Sequence, residues 1–83
     1  MATCLLYRRK PNHLNRFYRV EISLNLFSEV SVLREWGVAG NRGQSAVNLF
    51  GNLREASRAA DRFRNRALKR GYTREASVDT LYG

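Results

Sequence analysis

Alternation is clearest between Arg16 and Asn25, where Tyr18, Val20, Ile22 and Leu24 fall on one side and Arg19, Glu21, Ser23 and Asn25 on the other. A period of two describes a strand with one buried face. Three further runs have strand character: Thr3 to Arg9, Glu29 to Trp36 and Gln44 to Phe50. Between the first two lies Lys10-Pro11-Asn12-His13-Leu14-Asn15, where proline removes a backbone donor and the asparagines favour a turn. Glycines at 37, 40 and 43 punctuate the segment before the fourth run and permit a chain reversal. Connections this short favour antiparallel neighbours, because a parallel crossover needs about a dozen residues or more.

After Phe50 the period changes. Leu53, Ala56, Ala60, Phe63 and Ala67 recur every three or four residues and form one apolar stripe. Asn52 can cap this helix, with Glu55 three residues on as the partner of a capping box. Gly71 ends it, and Lys69 and Arg70 suit the negative pole of its dipole. The expected fold is therefore α+β: a twisted antiparallel sheet of four or five strands, one face covered by one long amphipathic helix. The chain reads as a single domain over 1–83 with a core at about 5–72. Thr73 to Gly83 fits either an edge strand or a tail.

Composition adds charge to this picture. Fifteen basic residues against seven acidic give +8. Only Lys10 and Lys69 are lysine; the other thirteen are arginine, whose planar fork of donors matches phosphate oxygens. The helix alone carries Arg54, Arg58, Arg62, Arg66 and Arg70 at every fourth position. Successive members are offset by about 40° around the axis, so the row fans across the polar face. An ordinary solvated face, with Arg58 paired to Asp61, explains most of it. The amino-terminal third is more one-sided: Arg8, Arg9, Lys10, Arg16 and Arg19 precede the first acid, Glu21, with Tyr7, Phe17 and Tyr18 interleaved. Basic and aromatic residues together suit backbone tracking and base stacking.

Catalytic chemistry finds no foothold. His13 is the one histidine and Cys4 the one cysteine, so neither a metal cluster nor an internal disulfide is expected. No nucleophile has a triad, and no phosphate-loop pattern occurs. Cys4 reads as a buried small hydrophobe. The first residues lack signal-peptide order, and no run approaches the roughly 20 apolar residues of a membrane span. These readings imply a cytoplasmic, monomeric, cofactor-free, non-enzymatic protein with no membrane partner.

Trp36 and Gly37 then stand out, as the only tryptophan at the end of a strand-like run beside a glycine-rich turn. The tryptophan could equally be the largest core residue, and strand parity puts it with Val30 and Val32 but also with Arg34. The ordered set Asn15-Arg16-Phe17-Tyr18, Trp36-Gly37-Val38-Ala39-Gly40 and Arg42-Gly43-Gln44, followed by a helix ending Lys69-Arg70-Gly71-Tyr72, resembles the WGR domain family. In DNA-dependent poly(ADP-ribose) polymerases such domains bind DNA near strand breaks, the motif tryptophan packing against a terminal sugar. The resemblance implies the same fold and a stacking role for Trp36. Its third motif position departs, being Val38, so the motif arginine's role does not carry over. The expected partner is nucleic acid, DNA rather than RNA, at or near ends or nicks. Trp36 and Gly37 would form the stacking site, and Arg34, Arg42, Arg16 and Arg9 would hold phosphates. The alternative is a protein-interaction module docking an acidic partner.

Overall fold

A computed structural model describes residues 2–25 and 27–74. Five strands and one helix follow in the order β1 (Ala2–Arg8), β2 (Arg16–Leu24), β3 (Val30–Val38), β4 (Gln44–Phe50), α1 (Leu53–Lys69) and β5 (Thr73–Arg74). The sheet order is β4-β3-β2-β1-β5, and every neighbouring pair is antiparallel. This is the expected α+β architecture. The strand containing Trp36 runs further than its alternation suggested. It continues through Gly37 to Val38, so Trp36 lies inside the ladder, opposite Tyr18 and Gln44. Of the segment Thr73 to Gly83, Thr73 and Arg74 pair with Tyr7 and Leu6 at the β1 edge, and the rest lies outside the described residues.

Short-range chemistry explains the turns. Between β2 and β3 the Asn25 carboxamide accepts from the backbone N–H groups of Phe27 and Glu29, at 2.9 and 3.0 Å. Between β3 and β4 the Ala39 N–H donates to the Asn15 carbonyl at 2.8 Å, which ties this turn to the β1–β2 loop. Two glycines in this region answer a close approach. A Cβ on Gly43 would sit 2.4 Å from the Trp36 carbonyl oxygen, and one on Gly37 would sit 2.9 Å from the Gly43 α-carbon. Gly37 thus lets the foot of β4 lie against β3.

The helix begins as expected. Asn52 has extended backbone, and its side chain accepts from the Glu55 N–H at 2.9 Å. Its end is a Schellman motif: the Gly71 N–H bonds the Leu68 carbonyl, and the Tyr72 N–H reaches back to Ala67. Gly71 has φ +96°, a conformation costly for other residues. The helix lies on one sheet face. Ala56 and Ala60 let it pack closely on Val20, Val30 and Val32, with Tyr18, Ile22, Phe50 and Phe63 closing around them. A second cluster joins Cys4, Leu6 and Ala67 beneath Tyr18 and Tyr72. Leu24 and Leu53, expected to be inward, are 59% and 48% exposed, and each is the terminal residue of its element. Ala59, missed by the stripe, is buried. Asp61 pairs with Arg64 rather than Arg58.

Candidate nucleic-acid interface

Strand parity decides which basic residues meet. On β1, Cys4 and Leu6 face the helix, and therefore so does Arg8. Arg8 is directly opposite Arg16, and Tyr18 lies between Leu6 and Trp36. On the helix, Arg66 and Arg70 flank the buried Ala67. The result is a cleft of about 420 Å³ between the sheet and the last turns of α1, lined by Arg8, Arg16, Tyr18, Arg34, Trp36, Phe63, Arg66, Ala67, Arg70 and Tyr72. Five guanidinium groups line it and, among the described residues, no carboxylate does.

Aromatic rings form its floor and walls. Trp36 stacks on Tyr18 with centroids 6.3 Å apart and 22° between planes, and Tyr72 meets Tyr18 edge-on at 6.1 Å. The Arg34 guanidinium lies 4.1 Å from the Phe63 centroid and 5.7 Å from that of Trp36, so it is held by ring faces rather than by an acid. Its Nε is buried and has no hydrogen-bond partner. Arg8 lies over Tyr72 at 5.3 Å and donates from Nη1 to the Arg70 carbonyl at 3.4 Å. That carbonyl belongs to the end of the helix, where the dipole is negative.

Two acids stand on the other face of the sheet. Arg19 is bridged to Glu35 at 2.8 Å and to Glu21 at 3.7 Å, on the sheet face away from the helix. Like charges directly opposite on a ladder destabilise it. The Arg8–Arg16 pair is such a conflict, and local conflicts of this kind collect at functional sites. A second concavity of about 400 Å³, lined by Arg8, Lys10, Asn12, His13, Leu14 and Arg16, adjoins the cleft through its two shared arginines. Basic surface is therefore continuous from the β1–β2 loop to the helix end.

Of the residues singled out in the sequence, Arg34, Trp36 and Arg16 come together in the cleft. Gly37 adjoins Trp36 but serves the β3–β4 approach. Arg42 lies exposed in the β3–β4 turn, and Arg9 lies one residue past the end of β1, 4.6 Å from the Tyr7 ring centroid. Sequence reasoning missed Arg8, Phe63, Arg66, Arg70 and Tyr72. Two signals could have found them: Arg8 continues the Cys4–Leu6 parity, and Arg66 and Arg70 bracket the inward Ala67. Among the described residues no group of histidine, cysteine, aspartate and glutamate could hold a metal ion, and no helix is long and apolar enough to cross a membrane.

The chain is 35% identical over 66 residues to an uncharacterized protein, y4dW, of Sinorhizobium fredii; the match takes in 80% of this chain and 32% of that relative. The chain thus spans about a third of that relative's length. The family model of the WGR domain matches residues 2–79, and the chain belongs to the WGR domain family.

Proposed function

We propose that the chain is a non-enzymatic nucleic-acid-binding module that engages duplex DNA at or near an end or nick. One observation carries this reading: five arginines and four aromatic rings converge on one cleft whose described lining includes no carboxylate. Arginine without an acidic partner, beside stacked rings, matches the chemistry of a phosphate followed by a sugar or base. Family membership supports nucleic acid as the partner class. Cleft size supports an end or nick, since a space of about 420 Å³ receives a projecting nucleotide and not a whole duplex. In this mechanism Arg8, Arg16 and Arg34 hold phosphate oxygens, Arg66 and Arg70 close the helix side, and Trp36, braced by Tyr18, packs against the terminal sugar. Arg42 and Arg9 extend the charged surface outside the cleft.

The test is a titration of the chain with nicked, blunt and single-stranded oligonucleotides, with heparin as a charge control. Trp36, as the only tryptophan, supplies a fluorescence signal. Neutralising four or five phosphates gives a log–log salt slope of about −4. Trp36→Ala is expected to weaken binding by about 1–3 kcal/mol, the usual worth of one stacking contact. Salt-independent binding, or unchanged affinity in a folded Trp36→Ala variant, would remove this mechanism. Binding no tighter to DNA than to heparin would favour an acidic protein partner instead.

A further inference from the structure

The two edges of the sheet are unlike. At one edge β5 is two residues long and contains Arg74. Shortness and charge are common ways of keeping an edge from pairing. The other edge, β4, has neither. It runs for seven residues, Gln44-Ser45-Ala46-Val47-Asn48-Leu49-Phe50, without proline or charge, in a chain that is 27% charged. Its register with β3 is continuous from Trp36↔Gln44 to Val30↔Phe50, so no bulge twists it away. Among the described residues, no backbone hydrogen bond reaches β4 from its outer side. On the face away from the helix, Val47 and Leu49 are 58% and 57% exposed.

We infer that β4 pairs with β4 of a second copy of this chain, antiparallel about a two-fold axis at Val47, to give one continuous ten-stranded sheet. Charge selects this occupant. Two copies at +8 each repel, so self-association requires a surface free of arginine, and there is no charged residue between Arg42 and Arg54. Register satisfies the same condition. Pairing about Val47 sets Gln44 against Phe50, Ser45 against Leu49 and Ala46 against Asn48, each in both directions, as an isologous interface requires. Leu33 lies beside Val47 within each copy. The joined sheet therefore carries an apolar row of Leu33, Val47, Val47 and Leu33 across the axis, the kind of cross-strand contact that stabilises a ladder. An acidic peptide has no cation on β4 to answer it, so the strand offers such a partner nothing that it does not offer a second copy. The inference does not depend on nucleic-acid binding, because no β4 residue lines the cleft.

Sedimentation velocity of the full chain over a range of concentrations, in salt high enough to screen its charge, should show a reversible dimer. Val47→Lys places like charges at the axis and is expected to weaken association roughly tenfold or more, with the circular dichroism of the native fold retained. Register is read independently by cysteine pairing, since native Cys4 is buried. Under mild oxidation Val47→Cys should form a linked dimer. Ser45→Cys, facing Leu49 of the other copy, should form far less. A native chain that stays monomeric throughout overturns the inference. So does a dimer indifferent to Val47→Lys, or equal cross-linking at the two positions.

Discussion

Under the one helix, the same sheet face is built in two ways. Towards the start of α1, Val20, Val30 and Val32 meet Ala56 and Ala60 with almost no exposed surface. Towards its end, Arg8, Arg16 and Arg34 meet Phe63, Arg66 and Arg70 across open space. Neighbouring positions on one strand cross from one region to the other, as Val32 to Arg34 on β3. Side-chain size sets the difference. Alanine lets the helix descend onto valine, whereas arginines and large rings hold the two layers apart and leave a cleft. The closed region supplies the stability that the charged region lacks. The charged region leaves an open, arginine-lined surface that a fully packed layer would not have.

Moving the boundary should have the largest effect. Val32 is fully buried, and Val32→Arg would carry the charged region into the closed one. An unpaired buried charge costs about 3–5 kcal/mol, comparable with the whole stability of a small domain. Urea unfolding should then show little or no native baseline, whereas arginine is already accepted two positions later. Gly71→Ala acts at the far wall. Its Cβ would meet only the Arg8 side chain, at 3.6 Å, so the cost is that of the backbone at φ +96°, about 1–2 kcal/mol. Because the same turn seats Tyr72, oligonucleotide affinity should fall with stability, unlike the effect of a mutation confined to the closed region. Arg34→Met should change stability least, by under about 1 kcal/mol, since it removes a buried Nε with no partner and keeps the packing on Phe63. It should nevertheless lower nucleic-acid affinity and reduce the salt slope by about one. If Arg34→Met binds normally, the cleft is not the contact surface.

The closed region was the more legible from sequence. Alternation through Tyr18, Val20 and Ile22 and the alanine stripe of α1 are local patterns, and each reports its own inward face. Asn52 and Gly71 marked the helix ends because capping is also local. The cleft is assembled from β1, β2, β3, the helix and the turn after it, so no window of sequence contains it. Arg34, Trp36 and Arg16 were noticed through parity and motif, Arg8 only as one of the basic amino-terminal residues, while Arg66 and Arg70 looked like ordinary solvated charge. Arg9 seemed equivalent to Arg8, but it lies one residue past the end of β1 and turns to the Tyr7 ring. The length of β3 was underestimated because Gly37 reads as a turn residue, although here it answers a close approach within a strand.

The bond from Arg8 to the Arg70 carbonyl gives the cleft a partial negative charge of its own. The last carbonyls of the helix carry partial negative charge, and one of them occupies a donor of Arg8 while Arg16 stands opposite. The end of α1 therefore acts as a weak counter-ion that steadies the arginines of an empty cleft. On the proposed function, a phosphate with full charge would compete with the fractional charge of the carbonyl for the same Arg8 donor.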